Sequence, residues 1–211
     1  MLTWQQYETG RHDLFCQTVR SLAGVDLLYL VDNGSTDGTA DYIRSLGGYS
    51  NPAETTTCGY GMNLTAAICA KSDADIVVLS NDDVVWRDGW VDRLVDVWAR
   101  MPDDVKIISG LLQPTYYWNR PSGREGPVLI RETVPGGAWT YRAVDYPLIF
   151  PVPTRAGWDD VPTCRRLNGA GFRVGAVDLA AHVGEEQSSW GNVSYLYEVE
   201  TVDEVKAAWG L

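Results

Sequence analysis

Two groups of polar side chains stand out because of what precedes them. Asp32 directly follows the apolar run 27–31, and Asn81-Asp82-Asp83 follows the apolar run 76–79 after Ser80. Short apolar runs of this kind read as buried strands of a parallel sheet. In open α/β sheets, ligands bind beyond the carboxyl ends of such strands. Parallel strands bring both groups to one edge of the sheet. Carboxylates gathered there without a neighbouring cation repel one another, so a cation is their natural partner, and hard oxygen ligands suit magnesium or manganese. A divalent ion on one or two carboxylates keeps positions open for phosphate oxygens, which is one way to hold a nucleoside diphosphate. Taken singly, Asp32 and Asp82 each read as a cap for the turn that follows. Their coincidence at successive strand ends favours a site.

The elements that must position these groups follow from periodicity. Residues 13–22 place Phe15, Val19 and Leu22 on one helical face. The stretch Asn33-Gly34-Ser35-Thr36-Asp37-Gly38 is turn chemistry, and a helical pattern resumes over 39–46. Further helices are predicted over 62–70 and 89–100, the latter with Trp90, Leu94, Val97 and Trp98 inward, and a strand over 105–111. Strands alternating with helices predict an α/β fold with a mainly parallel, Rossmann-like central sheet and flanking helices. The second half is less regular. Prolines 114, 121, 127 and 135 break the stretch 113–137, within which 128–133 reads as a strand. A helix over 161–170 ends at Gly171, a strand follows over 172–177, and Thr201 with Glu204 forms a capping box for a helix over 202–209. No linker separates these parts. The expectation is one domain over 1–211, with a nucleotide-binding half (1–111), an acceptor-binding half (112–184) and a tail (185–211).

Composition narrows the classes. With 45% hydrophobic and 21% charged residues in 211, the chain can bury a core and does not fit the disordered class. No apolar run reaches the roughly 18 residues of a membrane span, and the start MLTWQQYETG lacks a signal-peptide pattern, so cytoplasmic residence is expected and the sequons at Asn63 and Asn192 stay unmodified. Cys16, Cys58, Cys69 and Cys164 show no CxxC spacing and read as reduced. With only His12 and His182 beside them, they make no zinc cluster. The net charge of −11 argues against non-specific binding to nucleic acid or anionic membrane. That charge is uneven. Residues 115–173 carry 8 Lys+Arg, all arginine, against 5 Asp+Glu, whereas 1–114 carry 8 against 16 and 174–211 carry 1 against 7. Tyr116, Tyr117, Trp118, Trp139, Tyr141, Tyr146 and Trp158 share the basic stretch. Arginine with aromatics suits a rim for sugar rings or phosphates; a solvated surface over core aromatics is the alternative.

Three segments carry a family resemblance. LLYLVDNGSTDGTADYIRSL resembles the second-strand region of glycosyltransferase family 2, enzymes of the GT-A fold. GYGMNLTAAICAKSDADIVVLSNDDVVWRDGWVDRLVDVW resembles its continuation through the metal motif to a glycine-tryptophan helix. WDDVPTCRRLNGAGFRVGAVDLAAHVG resembles the late acidic, arginine and histidine segment. Order and spacing match over roughly 1–184.

The resemblance implies roles residue by residue. Asp32, with Asn33 beside it, matches the nucleotide-contacting aspartate, and Thr3 lines the same pocket. Gly59, Gly61 and Asn63 match the loop and helix start beneath the donor. Asn81 and Asp83 match the ends of the metal motif, with Asp83 the direct ligand of Mn2+ or Mg2+ and Asp82 beside it. Asp160 matches the catalytic base, Asp159 its acidic neighbour, and Arg166 the arginine six residues on. His182 matches a late histidine that reaches the metal or the diphosphate; a packed core histidine is the competing reading. The first strand is nearly missing, the metal motif begins with Asn81 in place of aspartate, and no glutamine-x-x-arginine-tryptophan segment follows, which argues against a processive synthase.

What the resemblance implies is an inverting transfer from a nucleoside-diphosphate sugar, with a UDP-sugar the first guess, to an acceptor hydroxyl. The acceptor stays open among a glycan, a protein and a modified nucleic acid, as does the oligomeric state. Small size fits a bacterial or bacteriophage member. A nucleotidyltransferase is a second reading, disfavoured because TWQQYETGRHD holds no glycine-rich phosphate loop. A non-catalytic carbohydrate-binding protein is a third, suggested by nine tryptophans.

Overall fold

A computed structural model describes residues 1–52, 57–112, 120–152 and 160–183. The predicted capping box and helix over 202–209, and Asp159, lie outside these residues.

The first unit is a small parallel sheet. Strands β1 (Leu2–Thr3), β2 (Val31–Asp32) and β3 (Tyr49–Ser50) lie in that order, with Leu2 opposite Val31 and Thr3 opposite Asp32. Helix α1 (His12–Ser21) connects β1 to β2, and α2 (Thr39–Ser45) connects β2 to β3. The strand expected over 27–31 is much shorter than its apolar run. Leu27 and Leu28 are 53% and 41% exposed, and only the end of the run enters the sheet. The physical reason is the length of β1, whose two residues give β2 only two ladder positions.

The second sheet has seven strands. Its path is β4 (Ile76–Ser80), β9 (Ala138–Arg142), β6 (Val105–Leu111), β10 (Arg173–His182), β8 (Val128–Arg131) and β7 (Pro121–Glu125), with β5 (Val84–Trp86) paired to the far end of β10. A parallel bridge between Leu2 and Asn81 joins the two sheets. The parallel arrangement expected for the whole sheet holds in the first unit and for β6 with β10; the other pairings of the second sheet are antiparallel. The difference comes from β5, β7 and β9, which the sequence pattern does not mark as strands, and from β8, which runs antiparallel to β10.

Helices cover both faces of this sheet. The neighbours Ile107 and Ile108 of β6 divide the core accordingly: Ile108 packs with α1 and α4 (Trp90–Arg100), whereas Ile107 packs with α3 (Cys58–Cys69) and α6 (Asp160–Gly169), and a register shift against β10 puts Val105 on the side of Ile108. The short helix α5 (Tyr146–Ile149) lies on the second side. The inward face of α4 is the predicted one, with Trp90, Leu94, Val97 and Trp98 buried. Trp98 satisfies its indole by donating to Thr140 Oγ1 at 3.0 Å, and the Arg142 guanidinium stacks over its ring at 5.1 Å. None of the four cysteines forms a disulfide. Among the described residues no helix is long and apolar enough to cross a membrane.

Candidate active site

The tips of β1 and β2 and the end of β4 meet at one edge, as the sequence pattern requires. Asp32 is fully buried. Its carboxylate accepts from the Ser35 backbone N–H at 3.2 Å, from the Ser35 hydroxyl, and from Ser50 Oγ at 2.9 Å. It therefore shapes the turn after β2 and ties that turn to β3, which is the capping role weighed in the sequence. Residues 5–8 fold over the same turn. Gln5 exchanges side-chain hydrogen bonds with Thr36, the Gln6 N–H donates to Thr39 Oγ1, and the N–H groups of Tyr7 and Glu8 both donate to Asp37 Oδ2 at 2.8 Å.

The acid pair after β4 is buried and unequal. Asp82 accepts from Thr3 Oγ1 at 2.5 Å and from Arg11 Nη2, and Thr18 Oγ1 donates to its backbone carbonyl. Burial pushes the Asp82 carboxyl up to about 6; Arg11 opposes that rise and Asp83 adds to it. Asp83 is 0% exposed, and neither carboxylate oxygen accepts a hydrogen bond. Its charge is met by the Arg11 guanidinium, 3.0 Å from Oδ2. A buried carboxylate that accepts no hydrogen bond and is ion-paired to Arg11 through Oδ2 keeps coordinating capacity for a hard divalent cation. Among the described residues, no set of three His, Cys, Asp or Glu side chains is grouped to hold a metal ion, so the candidate donors beside Asp83 include an amide.

That amide belongs to Asn81, and both it and His182 approach Gly137. A Cβ at Gly137 would lie 3.4 Å from Asn81 Nδ2 and 3.5 Å from His182 Nε2. The Asn81 N–H donates to the Gly137 carbonyl, and Val183 N–H donates to the Asp83 carbonyl. His182 stands opposite Val84 at the end of β10, only partly buried.

Asp160 reaches the same loop. At the start of α6, its Oδ2 accepts from the Gly136 N–H at 3.1 Å and its Oδ1 from the Val161 N–H at 2.8 Å. Burial nevertheless raises its carboxyl to about 6, against the lowering effect of those backbone bonds. A carboxylate with that affinity suits a proton acceptor near neutrality.

Other candidates serve the frame. Gly61 is where α3 crosses the strand ends: a Cβ there would lie 2.8 Å from Leu2 Cδ1 and 2.9 Å from Asn33 Cγ. Gly59 is buried in the same helix. Asn33 donates to the Thr57 carbonyl, fixing the residue whose hydroxyl caps α3. Asn63 forms a reciprocal pair with the Val152 backbone, at 3.0 and 2.7 Å. Arg166 donates to the carbonyls of Leu148 and Ile149. Sequence reasoning missed Arg11, Gly136 and Gly137. Arg11 carried a faint signal, as the only Lys or Arg among residues 1–19. The glycine pair carried none beyond its composition.

A profile of the family described as Glycosyl transferase family 2 matches residues 13–143. No curated protein sequence matches the chain. Among solved structures, the chain is similar to a mannosyltransferase from Pyrobaculum calidifontis in complex with GDP-Man and Mn2+, with a TM-score of 0.61 and 17% identity over 90% of this chain and 58% of that one. It is also similar to GalNAc-T7 with UDP, GalNAc and Mn2+, at 0.57 and 11% over 85% and 42%. A third is glucosyl-3-phosphoglycerate synthase from Mycobacterium tuberculosis in complex with phosphoglyceric acid, at 0.56 and 14% over 100% and 79%. The chain thus spans little more than half the length of the first of these and less than half of the second.

Proposed function

Because the chain belongs to glycosyl transferase family 2, we propose that it moves a sugar from a nucleoside-diphosphate donor to an acceptor hydroxyl, with inversion at the anomeric carbon. The observation that carries this reading is the convergence on one glycine pair: Asp160 is bound at Gly136, while Asn81 and His182 both approach Gly137, and the Asp83 backbone is tied to Val183, the residue after His182.

Asp83 would hold Mn2+ or Mg2+, with Asn81 and His182 as further donors. Such an ion supplies Lewis-acid neutralisation of the departing diphosphate. Thr3, Asp32, Asn33, Gly59, Gly61 and Asn63 frame the nucleotide side, chiefly by holding the strand tips and α3 in place. Asp160 takes the proton of the attacking hydroxyl as the bond to the anomeric carbon forms and the diphosphate leaves from the opposite face. Arg166 holds that segment through the Leu148 and Ile149 carbonyls, and Asp159 is its proposed acidic neighbour in sequence. Residues 1–111 form the donor half and 112–184 the acceptor half, and a UDP-sugar is the first donor to try. Arg120 and Arg124, exposed beside and on β7, favour an anionic acceptor.

A thermal-shift screen of nucleotides and nucleotide-sugars, with and without Mn2+, tests the reading. A ligand that binds only the native state raises Tm. One diphosphate family should raise Tm in a Mn2+-dependent way; no shift with any nucleotide would overturn the proposal.

A further inference from the structure

Arg11 has no place in the reaction just described, yet it is 5% exposed and lies against both acids of the metal motif. We propose that Arg11 is a positioning residue that acts through Asp83 and couples metal uptake to the diphosphate: the divalent cation enters with the nucleotide and not ahead of it. The inference rests on the metal-dependent nucleotide reading given above.

The argument is one of charge and commitment. Two buried carboxylates without a counter-ion would be strongly destabilised. Arg11 offsets that, because a guanidinium keeps its proton at any ordinary pH. It cannot drift away easily. Its N–H donates to the Gln6 carbonyl at 2.7 Å and its carbonyl accepts from Phe15 N–H at 3.0 Å, so its backbone is built into the start of α1. The two acids are then used differently. Asp82 is taken up by Thr3 and Arg11, while Asp83 receives charge from Arg11 but no hydrogen bond. Asp83 is left able to ligate, inside a pair whose net charge with Arg11 is a single negative one. A free dication entering there gains little from that charge and meets the guanidinium at close range. A diphosphate brings the missing negative charge, so the ion is held well only once the nucleotide is present.

The test is calorimetric titration of Mn2+ into the full chain, alone and with saturating UDP or GDP, for the wild type, Arg11→Lys and Arg11→Met. The wild type should bind Mn2+ alone at least about tenfold more weakly than with nucleotide. Arg11→Met should tighten binding of Mn2+ alone by about tenfold and shrink the nucleotide effect, whereas Arg11→Lys, which keeps the charge, should retain it. A purely structural Arg11 would lower Tm in Arg11→Met without tightening Mn2+. Equal Mn2+ affinity with and without nucleotide in the wild type overturns the inference, as does a folded Arg11→Met that binds Mn2+ no more tightly. Should Arg11→Met fail to fold, the wild-type comparison and Arg11→Lys decide. If no nucleoside diphosphate binds at all, the reading of the site itself has failed, a different result from nucleotide-independent Mn2+ binding.

Discussion

The backbone N–H of Gly136 and the carboxylate of Asp160 are joined by one hydrogen bond, 3.1 Å to Oδ2. This bond fastens α6 to the loop between β8 and β9. It sets the proposed base one residue from Gly137, where Asn81 and His182 converge. Residues from four separate parts of the chain thereby share one edge.

Asp160→Asn should separate chemistry from stability. Transfer should fall by about 10²- to 10⁴-fold in kcat with nucleotide binding intact, the usual worth of a positioned base. Because burial raises the Asp160 carboxyl to about 6, its charged form costs stability. The raised value favours the fold at low pH, an advantage lost as pH rises from about 4 through about 6. The amide sheds that cost at pH 7.5 but turns its NH2 group toward either the Gly136 or the Val161 N–H, so its stability should stay within about 1 kcal/mol of the wild type and should lose the Asp160 part of the change through this pH range. Wild-type turnover should decline as pH drops below about 6. Scanning calorimetry and a pH–rate profile check both; normal kcat in the variant would assign the base elsewhere.

Asp83→Ala should abolish the Mn2+-dependent part of nucleotide binding while leaving the fold intact. Arg11 keeps Asp82 as its partner, so no buried charge is stranded. Undiminished calorimetric binding of a nucleoside diphosphate with Mn2+ would remove Asp83 from the ligand role.

Two glycine variants should behave oppositely. Gly61→Ala forces its Cβ to 2.8 Å from Leu2 Cδ1 and 2.9 Å from Asn33 Cγ, overpacking the crossing of α3, and should cost about 1–3 kcal/mol by denaturant titration. Gly137→Ala meets its neighbours at 3.4 Å or more. It should keep near-normal stability yet lose nucleotide-metal affinity, because the methyl group would touch both Asn81 and His182.

Replacing Arg120 and Arg124 together by alanine should raise the acceptor KM and flatten its salt dependence without changing donor affinity. Unchanged acceptor kinetics across salt would exclude an anionic acceptor.

The sequence by itself determined the elements whose signals are local. The helical stripe of Trp90, Leu94, Val97 and Trp98, the strand over 105–111, the turn after Asp32 and the three family segments are each written within a few neighbouring residues. The acidic edge followed from strands whose ends must share one side of a sheet. Tertiary structure alone decided how each polar group is used. Asp32 spends its carboxylate on Ser35 and Ser50, the Asn63 amide and the Arg166 guanidinium bond to backbone, and Arg11 turns inward to Asp82 and Asp83. Strands β5 and β9 likewise exist because β10, β4 and β6 offer them open edges. A hydrogen bond or ion pair across the fold leaves no period or spacing in the chain, because its partner is chosen by packing and not by proximity in sequence.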